Sequence, residues 1–517
     1  MRLSLNGLFL VSFCFYAAQP VWAKGEAIPY RYGSREEVPR YFSFVTDNPK
    51  FNRMWTETVV EILSRQLENG QLIESSSKSG IYPNTFPRNL APVILAKCGY
   101  DAEVRKYLDF MWENQKADGS FWNYHDRQGT GTGKIEEDGG CYVVGHTCVY
   151  ALYSGDVDYL KQRWGGIRKA MDFLEDHFSK DVNLVYATAG YSEGNIKGGY
   201  DIYQQALSIY AFRSAARIAG LIGREGDADR WSEYARKIRA GIYENLYNQE
   251  AGRFVFQKRP DGTFFDPPYP GFLVLSYYDV IEPDEKGLDR SFAYLVGGPR
   301  YGEVSDEIFG LEPFDHAHPT GRGFWIGQNG HGWVIPYLLK AGRLEEADRW
   351  FRSLIACTDN KTFLVPEHIN WSFWDADGGE WAGKRYGLFP DSTAWVDPGN
   401  LLALSTAMHM VFTIVETDPG DEDQRLYFRV PSSLGAVAVS NLKGRGGYID
   451  ATFVRVGDGI ELSLSGAGKG EIVVVGVAKD VRVKKDGLPY EGWRWDAPGS
   501  LHIQTDFHPH RFTIRQE

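Results

Sequence analysis

The chain has 517 residues and a net charge of −12, and aromatic side chains make up 15 % of it. An acidic balance of this size excludes a nucleic-acid-binding surface, which needs a basic excess to meet phosphates. The length suffices for one large core and a second, smaller module.

Residues 1–23 read as a secretory signal: Arg2 gives the positive start, LFLVSFCFYAA the apolar stretch, and Val21-Trp22-Ala23 the small-residue cleavage site. The apolar run is too short for a stable membrane span. Cys14 lacks the preceding small residue that a lipid anchor wants, and no later stretch is long and apolar enough to cross a bilayer. The expected product has no membrane span and is secreted or periplasmic. Cys98, Cys141, Cys148 and Cys357 remain after cleavage and include no C-x-x-C pair. Cys141 and Cys148 would lie about 10 Å apart along a helix, beyond disulfide reach. Buried free thiols are expected, and a bridge between Cys98 and Cys357 is left open.

From about residue 45 to 416 the chain reads as helices joined by turns rich in Gly, Pro and Asp. KCGYDAEVRKYLDFM (97–111) and KAGRLEEADRWFRSL (340–354) align without a gap, pairing Gly99 with Gly342 and Tyr107 with Trp350. GREGDADRWSEYA (223–235) and SGDVDYLKQRW (154–164) are looser copies. In each, glycine supplies a left-handed helix end and acidic residues favour the start of the next helix. Roughly twelve such segments predict six hairpins, closed or open. Segment 201–221 is small and apolar on most faces, as an inner helix would be, whereas 227–247 has a charged outer face. Past the acidic linker ETDPGDEDQ (416–424), alternating runs such as YIDATFVRV (448–456) and GEIVVVGV (470–477) read as strands. The expected architecture is mainly α: an (α/α)6 toroid, or six-hairpin barrel, over residues 24–420, with a C-terminal β-sandwich over 421–517.

A barrel of hairpins gathers its long loops at one mouth, so loops loaded with carboxylates and aromatics are site candidates. Four stand out: GIYPNTFPRNLAPVI (80–94), GSFWNYHDRQGTGTGKIEEDGGCYVV (119–144), AGYSEGNIKGGYDIYQQAL (189–207) and FLVPEHINWSFWDADGGEW (363–381). On these residues the helical region resembles the six-hairpin glycosidases: glucoamylases, glycogen-debranching glucosidases and maltose-type phosphorylases. FPRN (86–89) is similar to their Pro-Arg-Asp, whose charged pair holds the terminal sugar, and EEDGG (136–140) to the Gln-x-Asp-Gly loop of glucoamylases. YSEG before an inner helix resembles the loop bearing the general acid, VPEH (365–368) the Pro-Glu or Ser-Glu of the general base, and TAWVDPGNLLAL (393–404) the Ala-Trp-Ser stretch that follows. Asn89 stands where the family usually has Asp, which puts glucose specificity in question, and Val396 stands where it usually has Ser.

The resemblance implies Glu193 as general acid and Glu367 as general base. Inverting hydrolysis needs these two roles, with carboxyls about 6.5–9.5 Å apart to admit a water. Aromatic neighbours raise an acid's pKa by desolvation and offer flat faces to sugar rings. Arg88, Asn89, Asp138, Arg322, Trp325, His331, Trp371, Trp374 and Trp395 are the expected substrate contacts, with Asp138 and Asp201 as fallback acids and Asp201 the better helix cap. His316, His318 and His331 share a loop rich in Gly and Asn, which suits hydrogen bonding better than a metal, so no metal or cofactor is expected. The expected function is an exported, inverting, exo-acting glycoside hydrolase on oligo- or polysaccharide. The alternatives are a polysaccharide lyase or unsaturated-uronide hydrolase on the same toroid, for which Arg88, Arg322 and His331 could serve, and a non-catalytic carbohydrate-binding protein. A phosphorylase is disfavoured because phosphate would leave Glu367 without a task.

Overall fold

The computed structural model describes residues 41–74, 84–188, 198–283, 285, 287–298, 301–303, 309–311, 324–358, 360, 362–369, 395–496 and 499–516. Helices run in the order α1 (Pro49–Ser64), α2 (Ala91–Lys97), α3 (Asp101–Glu113), α4 (Asp138–Ser154), α5 (Val157–Asp176), α6 (Ile202–Leu221), α7 (Glu225–Asn245), α8 (Val274–Tyr277), α9 (Leu288–Val296), α10 (His331–Lys340), α11 (Leu344–Cys357), α12 (Leu401–Met408) and α13 (Val411–Ile414). The even-numbered helices from α2 to α12 form a cycle in which each touches the next and α12 returns to α2. Surrounded in this way, they are apolar on nearly every face, and α4 is buried from Asp138 through Cys148. The outer α7 buries only the stripe Trp231, Ala235, Ile238, Gly241 and Ile242.

The repeated corners form as the sequence predicts. Gly99 and Gly342 follow α2 and α10 with φ of 85° and 71°, a backbone region that costs a side-chain-bearing residue. Asp101 and Glu103 then open α3, and Glu345 and Glu346 open α11. All four described cysteines are buried and free, Cys98 and Cys357 included.

Closing the cycle requires the first described helix to meet the last inner one. Arg65, 1 % exposed at the end of α1, donates to the Glu74 carbonyl at 2.6 Å and to Glu61 Oε1 at 2.6 and 3.0 Å. That same carbonyl accepts the Leu401 N–H at 2.8 Å, and Glu74 Oε1 accepts the Leu402 N–H at 2.5 Å. With Asn400 Oδ1 taking the Ala403 N–H at 3.1 Å, the first turn of α12 finds partners for amides that have none inside the helix.

The C-terminal strands form a five-stranded sheet and six strands of a seven-stranded one. Phe428 of one stacks on Phe453 of the other, ring centroids 5.8 Å apart. Strand Ser43–Thr46, preceding α1, joins the larger sheet antiparallel to Ala436–Gly444, with Phe44 opposite Val439. The C-terminal strands are therefore tied to both ends of the helical region.

Arg65→Ala would leave Glu61 and the Glu74 carbonyl facing a buried gap, and removing one partner of a buried pair costs about 3–5 kcal/mol. Urea unfolding should show a loss of that order. Arg65→Lys should recover less than half of it, because one ammonium cannot span both acceptors. Full recovery by lysine would overturn the bidentate role.

Candidate active site

Asp138 opens α4 and Asp201 caps α6, so both lie at the N-terminal ends of inner helices. A chain of aromatic contacts joins this region to α10. The hydroxyls of Tyr142 and Tyr203 hydrogen-bond at 2.8 Å, and Tyr203 packs on Trp333 with centroids 5.9 Å apart. The N-terminal turns of α4, α6 and α10 thus converge at one end of the cycle.

Glu367 approaches that end on the strand Pro366–Ile369, between Phe324–Trp325 and Trp395–Pro398. Its carbonyl accepts the Ile326 and Gly327 N–H groups at 3.1 and 3.3 Å, directly ahead of α10. Pro366 lies opposite Pro398, at strand ends where neither residue has an N–H to contribute. The Glu367 residue is half-buried.

The three consecutive carboxylates of the EEDGG loop do three different things. Glu136 forms an ion pair with Arg88, which also donates to Asn123. Glu137 Oε1 accepts the Thr188 N–H at 3.0 Å and the Thr188 hydroxyl at 2.5 Å. Asp138 is 2 % exposed, and neither of its oxygens has a hydrogen-bond partner among the described residues. Burial pushes its carboxyl up to about 7, against the pull of Arg88 and with the help of Glu136, Glu137 and Asp201. Burial likewise lifts Asp201 to about 7, although its Oδ1 accepts the Gln204 N–H at 2.8 Å as a helix cap.

Thr188 is the last described residue before 189–197, and Ala187 and Gly199 close the neck of that segment with paired bonds of 2.9 and 3.0 Å. Glu137 therefore holds Thr188, at the edge of that segment, next to Asp138. Glu193 itself, Arg322, Trp371 and Trp374 lie outside the described residues, as do His316 and His318. Trp325 and Trp395 are described as backbone, on the strands flanking Glu367.

Two of the expected sugar contacts instead face the protein. Asn89 is fully buried, donating to the Phe86 carbonyl at 2.9 Å and accepting the Ala91 N–H at 3.1 Å, which shapes the entry to α2. His331 is also fully buried, with Nε2 3.0 Å from Ser353 Oγ and its ring 4.9 Å from Trp350, bracing α10 against α11. Glu137, Asn123, Tyr203 and Trp333 were not singled out from the sequence. The signal for the two aromatics is their place within the first three positions of an inner helix. Among the described residues, no group of three or more His, Cys, Asp or Glu side chains is placed to hold a metal ion.

No protein-family model and no curated protein sequence matches the chain. Solved structures do match in fold. An α-L-rhamnosidase from Dictyoglumus thermophilum aligns with a TM-score of 0.62 and 13 % identity over 93 % of this chain and 51 % of its own. An α-L-rhamnosidase of Streptomyces avermitilis, complexed with L-rhamnose, aligns at 0.58 and 16 %, over 93 % and 42 %. A further glycosidase aligns at 0.53 and 13 %, over 70 % and 95 %. The chain thus spans about half the length of the rhamnosidases it matches, and the resemblance to six-hairpin glycosidases holds as one of fold.

The buried acids carry a pH signature. A carboxyl whose folded pKa is raised holds its proton in the folded state, so its stabilisation is present below about pH 4 and is lost as pH rises to about 7. Asp201→Asn keeps the capping oxygen and never ionises. Between pH 4.5 and 8 its unfolding free energy should gain about 1–3 kcal/mol on the unmutated protein. Parallel curves across that range would mean that Asp201 titrates as an ordinary carboxylate.

Proposed function

We propose that this protein is an exported, inverting exo-glycosidase built on an (α/α)6 toroid over residues 24–420 with a C-terminal β-sandwich over 421–517. The observation that carries the reading is the aromatic chain Tyr142–Tyr203–Trp333, which brings the acidic turns of α4 and α6 to the same end of the cycle as the strand of Glu367. Glu193, on the segment that follows Thr188, is the acid that protonates the leaving oxygen. Glu367 is the base that activates water from the opposite face. Arg88 and Asp138 hold the terminal sugar: Asp138, buried and without a hydrogen-bond partner among the described residues, is left to bond a sugar hydroxyl. Its raised pKa lets it act as donor or acceptor near neutral pH.

The fold matches support L-rhamnosides as the first substrate class to test. Asn89 supports a departure from glucose, since both ends of its amide are spent on backbone. Residues 1–23 support export, to the periplasm or the medium.

Aryl α-L-rhamnosides and rhamnose-ended oligosaccharides should be cleaved, with the first-formed anomer inverted when read by proton NMR. Glu367→Gln should lower kcat by about 10²–10⁴ on every substrate. Glu193→Gln should lose that much only on poor leaving groups, because activated aryl glycosides need little protonation. A retained anomer would overturn the two-carboxylate inverting scheme. Equal losses for Glu193→Gln on both substrate types would move the acid role to Asp138.

A further inference from the structure

At the opposite end of the cycle, where the inner helices run out into short turns, lies a cavity of about 480 Å³. Every inner helix contributes to it: Lys97 ends α2, Tyr153 lies in the last turn of α4, Arg217 in α6, Tyr277 ends α8, Lys340 ends α10 and His409 follows α12. This volume falls within the range of roughly 300–1,000 Å³ that holds small ligands. Tyr278 roofs it toward the mouth, with its ring 6.4 Å from Tyr142 and 4.5 Å from Tyr210. Tyr210 lies so close over α4 that a Cβ on Gly145 would fall 2.1 Å from its ring. That glycine is what admits the tyrosine.

The carboxylates at this end are already matched. Asp418 pairs with Arg217 at 3.0 Å, Asp279 with Lys340 at 2.6 Å, and Glu416 with Arg429. Other polar groups are not. Among the described residues the Lys97 ammonium makes no hydrogen bond, lying 4.9 Å from the centroid of the Phe412 ring and in the field of Glu416 and Asp418, and the His409 ring makes no hydrogen bond. Thr417, 4 % exposed, has a buried hydroxyl without a partner.

A second cleft of about 260 Å³ adjoins the first and shares Lys97 and Tyr153 with it. Its other lining includes Asp101, whose buried Oδ1 has no hydrogen-bond partner among the described residues, and Asn441 and Tyr448 of the C-terminal sheet. Strand Ala436–Gly444 is bulged between Val439 and Leu442, leaving Asn441 at φ 59° beside the cleft. Bulges commonly re-aim a side chain at a functional edge. The Tyr448 ring is 58 % exposed, with the Lys443 ammonium 4.9 Å from its centroid.

We propose that these two adjoining cavities together form a second carbohydrate site, which takes a short neutral oligosaccharide with one end at the foot of the inner helices and its body across Tyr448. Tyrosine faces suit the C–H side of a pyranose. Lys97 and His409 donate to its oxygens and Asp101 accepts from its hydroxyls. The ligand is neutral because the charges here offset one another, with Glu416 and Asp418 acting on Lys97 and Lys443 on Asp101, so a charged sugar would gain little from the site. The inference stands on this lining alone and is independent of what is cleaved at the mouth.

The test is calorimetric titration of the full chain, in the Glu367→Gln background to prevent turnover, with maltotriose, xylotriose, mannotriose and a rhamnose-ended trisaccharide, and with trigalacturonate as the charged probe. At least one neutral trisaccharide should bind, and Tyr448→Ala should weaken that binding about tenfold. In the otherwise unmutated protein, Tyr448→Ala should leave hydrolysis of an aryl glycoside unchanged. Gly145→Ala, which drives Tyr210 into the cavity, should also abolish binding, and the surface position of Tyr448 keeps the test clear of folding defects. Neutral binding that Tyr448→Ala leaves intact, binding of trigalacturonate alone, or binding of no trisaccharide would each overturn the proposal.

Discussion

Everything at the mouth depends on the cycle of inner helices being closed, and one buried guanidinium ties α1 to the turn where the cycle closes. Arg65 ties the end of α1 to Glu61 and to the Glu74 carbonyl, and Glu74 in turn receives the first amides of α12, more than three hundred residues further along the chain. A contact of such separation carries a large loop-closure cost and forms only when the intervening hairpins are in place. The junction therefore reports completion of the ring. The strand Ser43–Thr46 extends the same logic, stitching the chain's beginning to its C-terminal sheet.

The electrostatics of the mouth are a contest between two effects of the same fold. Placing Asp138 and Asp201 at the N-terminal ends of inner helices favours their ionised forms through the helix dipole. Burying those helices on all sides favours the neutral forms, and for both residues burial prevails. Acids poised near neutrality follow from the architecture itself: a helix enclosed by neighbours cannot show its first residue fully to water. Glu137, equally buried, is committed to holding Thr188.

The hairpins were legible in the sequence because their signals are local. A glycine at positive φ followed by acids is written in a few residues, and Gly99 and Gly342 carry it in register. The shift to strands past residue 420 was equally plain, being a change of period from helical to alternating. The division of labour within EEDGG was not legible, because the partners of Glu136 and Glu137 come from Arg88 and Thr188 on other loops. Asn89 and His331 show the same limit. Each stands in a loop that composition marks as functional, and each is turned inward by contacts, with Phe86 and Ser353, that no spacing rule encodes.

The tyrosines that line the axis have a consequence for traffic. From Trp333 through Tyr203 and Tyr142 to Tyr278, ring follows ring down the middle of the helices among the described residues. In the proposed enzyme, what enters at the mouth would leave by the mouth. A chamber stoppered in this way would not thread a polymer and slide along it; it would admit a terminus, act, and empty before the next arrives. In the proposed enzyme the departing sugar and the incoming chain would share one doorway, so accumulated product would compete directly with substrate for entry.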